Sequence, residues 1–451
     1  MKSDKAKKLS LVLSVFLALI LFFCLDILAK RERVHTVSNS ESHMTGSTLK
    51  ENKKIYNNYN PAEVSNVYIN VFSTEDDKGR THDFSDFDLI ADWDTEFNPV
   101  LDANVQFLSG DKQPSGYHIK NATIKVRGNP GASLKSYRVK LVDGANTFKG
   151  QTVFNIDKNL RDPSRIANKL AHDLIIDLEH ISGFRTTFLE VYIRDDSLGI
   201  EESEYNSFGL YTHIEQPNRT YLRSRGLDDD GTLYIAENFA FSLSPQLKNV
   251  SDPEYNKQDF ETVLRIREGK DHTKLINMLT DLNDESKDFN TVFNTYFDED
   301  NYLTWLSVNI LLGNSDAMTN DFILYNPSKS NIFYLLPWGF NGIFSWMEDE
   351  ANIQNIYELM TDVVLHRKYL EQDGNKDKLK SRIEELMADS FSSKRIKALR
   401  KQYKPVLLEM IGTYPDDVLL TIKPNEYMAY IDRIDERILM NYREFLNRFD
   451  Y

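Results

Sequence analysis

The chain has very little cysteine, a single residue (Cys24) in 451. One cysteine cannot build a disulfide framework, so a small disulfide-stapled fold is excluded. Nine scattered histidines, with no cysteine after residue 24, argue against a zinc site. Positive charge is also scarce, because 54 Lys+Arg stand against 69 Asp+Glu and give a net charge of −15. Such an acidic chain repels a phosphate backbone, and we therefore expect no nucleic acid partner.

Several familiar catalytic motifs are also missing. The sequence has no Gly-x-Ser-x-Gly, P-loop or dinucleotide-binding pattern to support a hydrolase, P-loop or Rossmann protein. What the chain does have is 41% hydrophobic residues, including 23 Tyr and 26 Phe. This content can fill a substantial core, and it excludes a disordered or collagen-like protein.

The first segment looks like a membrane anchor. An apolar run from 9 to 25, extended to 29, is long enough to cross a bilayer of ~30 Å. The run ends in bulky residues, which favours an uncleaved anchor over a cleaved signal peptide. The charge is +3 before the run (four Lys less one Asp) and +2 after it, which slightly favours a body outside the cytoplasm. We expect a single-pass membrane protein, with the membrane contacted through residues 9–29.

The rest of the chain divides by composition and periodicity. Residues 1–8 form a short basic tail, and residues 30–60 read as a flexible polar tether. The body is expected over 61–350, with a helical part of the same body over 351–451. Strand-like alternation comes first and helical periodicity later, which indicates an α+β fold with a ligand cleft between the two parts. Strands are predicted at 66–72, 103–108, 122–127, 136–141, 188–193 and 208–214, and helices at 163–178, 274–282 and 302–312.

A basic hairpin is the first candidate site. Arg127 and Gly128 begin a turn between two predicted strands, and a glycine-bearing turn lets backbone amides approach an anion. On the second strand Arg138 and Lys140 share one face. This arrangement would suit a nucleotide phosphate, and the alternative is a solvated hairpin with an outer basic face.

An acidic loop is the second candidate site. Gly313 ends the predicted helix 302–312, and the loop that follows presents Asp316, then Asn320 and Asp321. A carboxylate followed four or five residues later by an oxygen ligand is the spacing of a phosphotransferase loop, with a base and a metal ligand. The alternative is a helix cap plus a turn.

The order of these features resembles the spore coat protein H (CotH) kinase family, an atypical branch of the protein-kinase-like fold, over about residues 64–449. The resemblance implies a two-lobed protein-kinase-like fold, strand-rich and then helix-rich, behind the transmembrane helix. It further implies an ATP-dependent protein kinase acting on exported or envelope proteins, with Mg²⁺ or Mn²⁺. It is carried by Arg127-Gly128-Asn129, Tyr137-Arg138-Val139-Lys140-Leu141, Asp162-Pro163-Ser164-Arg165, Glu190-Val191-Tyr192, Gly209-Leu210-Tyr211, Gly231-Thr232-Leu233-Tyr234, Gly313-Asn314-Ser315-Asp316 and Pro337-Trp338.

The resemblance assigns roles to these residues. Asp316 matches the catalytic aspartate, which accepts the proton of the acceptor hydroxyl. The metal ligands would come from Asp321 or, in the other register, Asn320, together with Asn341. The phosphates would be held by Arg127, Arg138 and Lys140.

The chain departs from the family pattern at three positions. Gly339 and Asn341 stand where the family has an Asp-aromatic-Asp turn, whose first aspartate holds the metal, and Ile235 replaces a usual lysine. Two functions therefore stay open: an active kinase whose metal site is rebuilt around Asp321, and a pseudokinase that serves as an envelope binding or scaffold module. An α+β domain with an unrelated ligand is the third reading.

Overall fold

The computed structural model describes residues 49–90, 97–108, 112–129, 131–199, 203–344 and 351–450. For 351–355 and 424 it describes the backbone only. The predicted basic tail and anchor (1–29) and the first part of the predicted tether lie outside these ranges.

All six strands predicted from the sequence are present, and four of them have ends that differ by one or two residues. Two of them, 122–127 and 136–141, keep the predicted bounds. The strands are β1 (Val64–Val71), β2 (Thr74–Glu75), β3 (Thr81–His82), β4 (Leu101–Leu108), β5 (Ala122–Arg127), β6 (Ser136–Leu141), β7 (Val153–Asp157), β8 (Thr186–Asp195), β9 (Asn206–Glu215), β10 (Thr232–Ala236), β11 (Leu264–Glu268), β12 (Ile323–Asn326) and β13 (Tyr334–Leu336).

Seven strands close into a barrel in the order β1-β4-β5-β6-β7-β9-β8. All neighbours are antiparallel except β1 and β8, which pair in parallel and close the barrel. Inward-facing apolar side chains fill it, including Ile69, Ile124 and Val139. A second sheet has the order β11-β10-β12-β13, and β2 and β3 form a separate ribbon.

The helices pack around the second sheet and one side of the barrel. They are α1 (Ala167–Ile175), α2 (Arg219–Ser224), α3 (Lys257–Glu261), α4 (Thr273–Leu282), α5 (Phe289–Tyr296), α6 (Glu299–Leu312), α7 (Ala351–Asp362), α8 (Val364–Leu370), α9 (Asn375–Ala388), α10 (Ser393–Met410), α11 (Asp416–Leu419), α12 (Pro424–Asp432) and α13 (Ile434–Arg448).

Helix α6 lies at the centre of the helical part. Every side chain from Asn301 to Leu312 is buried, as expected for a helix surrounded by other elements. It ends at Gly313, whose φ of +66° is the left-handed conformation that glycine adopts without strain. A Cβ at Gly313 would also lie 2.9 Å from Asn441 Nδ2, so α13 packs directly on this turn.

A buried ion pair joins the barrel to the carboxy-terminal part. Lys158 Nζ, just after β7, lies 2.8 Å from Asp416 Oδ1 in α11, and both side chains are inaccessible to solvent. Asp416 Oδ2 accepts a 2.6 Å hydrogen bond from the Leu210 amide. Gly209 leaves room for this carboxylate, because a Cβ there would lie 2.1 Å from Oδ2.

The end of the predicted tether lies on the body. Leu49 is buried, and Lys53–Tyr56 forms a short 3-10 helix. Lys53 Nζ donates to the carbonyls of Ile176 and Leu178 at 3.0 and 2.8 Å, and Tyr59 donates to Asp173. These contacts fix residues 49–60 against α1 and the segment that follows it.

The predicted two-lobed arrangement behind a transmembrane helix is wrong. The chain is α+β, but its first strands close into a barrel, and the second sheet (β10 to β13) lies among the helices. The closing pair joins residues more than 100 positions apart, and single-strand alternation carries no information on such pairing.

The predicted single-pass membrane placement is corrected as well. Across the ranges that the structure describes, no helix has the length and apolar content needed to cross a membrane. The segment predicted as the anchor, 9–29, is outside those ranges.

Candidate functional site

The basic hairpin is present, and its charged side chains share the outer face of the barrel. Val126, Tyr137 and Val139 are buried inside, whereas Lys125 and Arg138 alternate with them on the outside. Lys125 and Arg138 are direct cross-strand partners. Like charges at paired positions repel each other, so this face favours an anion nearby.

Arg127 has a buried partner. Its Nη1 donates to Asp157 Oδ1 at the end of β7, and Asp157 is 6% exposed. Burial, then the charges of Arg138 and Arg265, lowers the pKa of Arg127 to about 9. The Asp157 carboxylate therefore anchors Arg127 at the edge of the barrel, among other cations.

A second basic strand, β11, approaches this face. Burial, then Arg267 and Arg265, lowers the pKa of Arg138 to about 10, which shows that side chains of the two sheets lie close together. Arg265 Nη2 is 2.5 Å from Glu237 Oε1. We call the five cations of β5, β6 and β11 the basic cluster: Lys125, Arg127, Arg138, Arg265 and Arg267.

The basic cluster has unused donors. The buried Nε atoms of Arg138, Arg265 and Arg267 have no hydrogen-bond partner among the described residues. A buried donor without a partner costs roughly 1–3 kcal/mol, which an acceptor could recover. Oxygens of a phosphate or carboxylate are the natural acceptors for guanidinium groups.

The acidic loop lies beside the basic cluster. Asp316 is exposed in a short 3-10 helix (Asp316–Met318) after α6, and its carbonyl accepts from the Asn320 amide at 2.7 Å. Asp321 donates its amide to Ala236 O at 2.9 Å, which holds the loop against β10. Burial, and then the charge of Asp316, raises the pKa of Asp321, while Arg265 and Arg127 act in the opposite direction. The carboxylate of Asp321 is therefore influenced both by the charge of Asp316 and by cations of the basic cluster.

Asp321 occupies the space in front of Gly339. A Cβ built on Gly339 would lie 2.4 Å from Asp321 Cβ and 2.7 Å from its Cγ. Both residues have positive φ, +49° and +65°. The space in front of Gly339, where the resemblance predicts an aspartate, is therefore filled by the side chain of Asp321.

Asn341 is engaged elsewhere. Its side-chain oxygen accepts from Asn168 Nδ2 in α1, and its carbonyl accepts from Asn159 Nδ2 at 3.1 Å. Asn168 Oδ1 in turn accepts from the Phe340 amide at 3.0 Å. These contacts fix the turn at residues 338–341 to α1. The side-chain oxygen of Asn341, which was predicted as a metal ligand, already accepts a hydrogen bond there.

The donor set for a divalent cation is small. Among the described residues, no group of three or more His, Cys, Asp or Glu side chains could hold a metal. Magnesium in phosphotransfer sites needs only one or two carboxylates, because substrate phosphates and water complete its shell. Asp321, with Asp316 near it, fits that minimal requirement.

The structure brings together most of the predicted site residues. Asp321 interacts electrostatically with Asp316 and Arg127, and Arg127 interacts in the same way with Arg138. Lys140 shares the outer face of β6 but is exposed and lies further along the strand, beside Val153 of β7. Sequence reasoning missed Arg265 and Arg267, although their alternation with Leu264 and Ile266 is a strand pattern that could have identified them.

A buried helix that ends in an acidic loop lies next to a basic face, and this arrangement is compatible with a kinase-like protein. The chain belongs to the CotH kinase family, because the family model described as CotH kinase protein matches residues 124–416, more than half of its length. It is also similar to inner spore coat protein H of Bacillus subtilis (strain 168), with 23% identity over 328 residues, which cover 70% of this chain and 83% of that protein.

Proposed function

We propose that this chain is a protein kinase of the CotH type that transfers phosphate from ATP, with Asp321 in place of the aspartate that is missing at Gly339. The observation that carries this proposal is the close approach of the two positions, 2.4 Å between Asp321 Cβ and a Cβ on Gly339. Position 339 has no carboxylate, and its spatial neighbour Asp321 has one. The negative charge of the site is thereby kept.

The remaining residues receive roles from their positions. Arg138, Arg127 and Arg267 bind ATP phosphates through their guanidinium groups. Asp316, exposed in the acidic loop, accepts the proton of the acceptor hydroxyl. Mg²⁺ or Mn²⁺ held by Asp321 would neutralise phosphate charge. Because the chain is similar to inner spore coat protein H, spore coat proteins are the first acceptors to test.

The test measures ATP binding by calorimetry and phosphate transfer to a coat protein, with Mg²⁺ or Mn²⁺. Asp316→Asn should retain ATP binding and lose transfer by a factor of about 100 or more, since it removes a general base. Asp321→Asn should abolish the metal dependence of ATP binding. Asp77→Asn, an exposed acid in the turn between β2 and β3, is the matched control. Transfer that survives Asp316→Asn would refute the proposed mechanism.

A pseudokinase is the second candidate, and one observation favours it. Ile235, where the family usually has lysine, is 2% exposed and packs in an apolar cluster with Ile323. The side chain at that position therefore supplies no cation to the site. Wild-type protein that binds no ATP with either metal would establish this alternative, and the search would then turn to protein partners.

A further inference from the structure

A cavity of about 350 Å³ lies at the other end of the barrel strands from Arg127. Its wall includes Gln151 before β7, Arg185 before β8 and Glu215 at the end of β9. Asp157, the partner of Arg127, is at the opposite end of β7, so the cavity and the basic cluster are separate sites.

Two buried amides in the wall have unused hydrogen-bonding atoms. Gln151 is 5% exposed and Gln216 is 2% exposed, and both line the cavity. Among the described residues, Gln151 Nε2 has no acceptor and Gln216 Oε1 has no donor. Gln151 uses its other atom, Oε1, in a 3.4 Å contact with His213 Nε2. A ligand with both an acceptor and a donor would give hydrogen-bond partners to Gln151 Nε2 and Gln216 Oε1.

The charge in the wall is positive after internal pairing. Glu215 Oε1 accepts from Arg185 Nε at 2.8 Å, and Oε2 accepts from the Arg185 amide and from Arg225. Glu215 is therefore saturated and offers nothing to a ligand. Lys54, exposed at the mouth, has no ion-pair partner among the described residues.

The walls of the cavity are held in place. Lys149, at φ +50°, pairs with Glu63 at 2.7 Å, and its carbonyl accepts from Arg185 Nη2 at 3.1 Å. Tyr221 is 2% exposed, and its hydroxyl donates to Ser182. Segments that are far apart in the sequence thus form one rigid polar pocket, and such pre-organisation favours a specific small ligand.

We propose that this cavity binds a small organic anion that also carries a hydroxyl group. The negative group accepts hydrogen bonds from Lys54 and Gln151 Nε2, and the hydroxyl donates to Gln216 Oε1. A carboxylate and a phosphate ester are both compatible with these donors, and the test separates them. This site is independent of the proposed kinase activity.

The test is calorimetric titration of the full chain with malate and with glycerol 3-phosphate, beside succinate and propyl phosphate, which differ from them only in lacking the hydroxyl groups on carbon. We expect one of the first two to bind and its hydroxyl-free counterpart to bind more weakly. Gln216→Met removes the acceptor at nearly constant size, and Lys54→Ala removes the exposed cation without disturbing the core. Each should weaken binding about tenfold, which is about 1.4 kcal/mol.

Lys78→Ala, an exposed lysine in the turn between β2 and β3, is the control and should leave binding unchanged. Absence of binding of both hydroxyl-bearing probes at roughly 10 mM would overturn the proposal, since the dissociation constant would then lie well above roughly 10 mM. Binding that is unchanged in both Gln216→Met and Lys54→Ala would overturn it too. The outcome is distinguishable from that of the kinase proposal, because Asp316→Asn should not alter anion binding and Lys54→Ala should not alter ATP binding.

Discussion

An aspartate placed at position 339 should destabilise this protein, because Asp321 already fills the space. The new Cβ would overlap Asp321 Cβ at 2.4 Å. Relieving such an overlap costs about 1–3 kcal/mol, and a non-glycine residue at φ +65° adds about 1 kcal/mol. We expect Gly339→Asp to lower the free energy of unfolding by about 2–4 kcal/mol.

A second substitution isolates the overlap. Asp321→Gly removes the colliding side chain at a residue whose φ of +49° suits glycine, so the double variant Asp321→Gly/Gly339→Asp should recover about 1–3 kcal/mol. Gly144→Asp is the matched control, since Gly144 has φ +86° and nothing within 4 Å of a built Cβ. It reports the backbone cost alone.

The assay is urea unfolding followed by tryptophan fluorescence, with the free energies compared in a double-mutant cycle. The reasoning is refuted if Gly339→Asp is as stable as Gly144→Asp. It is also refuted if the double variant is no more stable than Gly339→Asp, because the two side chains would then not compete for one space.

Three further predictions concern the ion pairs and the basic cluster. Asp416→Asn leaves Lys158 buried without a counter-charge and should cost about 3–5 kcal/mol in urea unfolding, whereas the exposed neighbour Asp417→Asn should cost little. Burial alone would raise the pKa of Glu215, but Arg225 and Arg185 lower it to about 2, below its usual 4.5, so its contribution is present above pH 4.5 and is lost as the pH falls through 2. The destabilisation caused by Glu215→Gln, measured by urea unfolding at several pH values, should therefore shrink over that window, and a constant difference would contradict the assignment. Arg267→Ala should weaken ATP binding about tenfold in calorimetry, whereas Lys140→Ala, at the exposed end of the same face, should change it less than about twofold.

The local parts of the site could be predicted from the sequence. Alternation placed Arg138 on the outer face of β6 and Val139 inside, because side chains alternate along any strand. Gly313 marked the end of α6, because a left-handed residue at that position favours glycine. Both inferences need only neighbouring residues.

The non-local parts could not be predicted in this way. The parallel pairing of β1 with β8 decides between an open sheet and a barrel, and it joins segments with no sequence signal for each other. The contact between Asp321 and Gly339 likewise joins two segments that carry no sequence signal for each other. Sequence reasoning recognised that one acid was missing and another was present, but only the folded chain shows that they share one volume.

The surroundings of the basic cluster explain why it favours a bound anion. In a chain of net charge −15, five cations meet between β5, β6 and β11, and three of them keep a buried Nε without a partner among the described residues. Burial, and then the repulsion of neighbouring arginines, lowers the pKa of both Arg127 and Arg138. Among the described residues, Arg127 and Arg265 have an acidic partner, Asp157 and Glu237, whereas the other three cations have no ion-pair partner. A cluster that is held by the fold and left short of acceptors is stabilised when an anion binds, because the anion supplies both the charge and the missing acceptors.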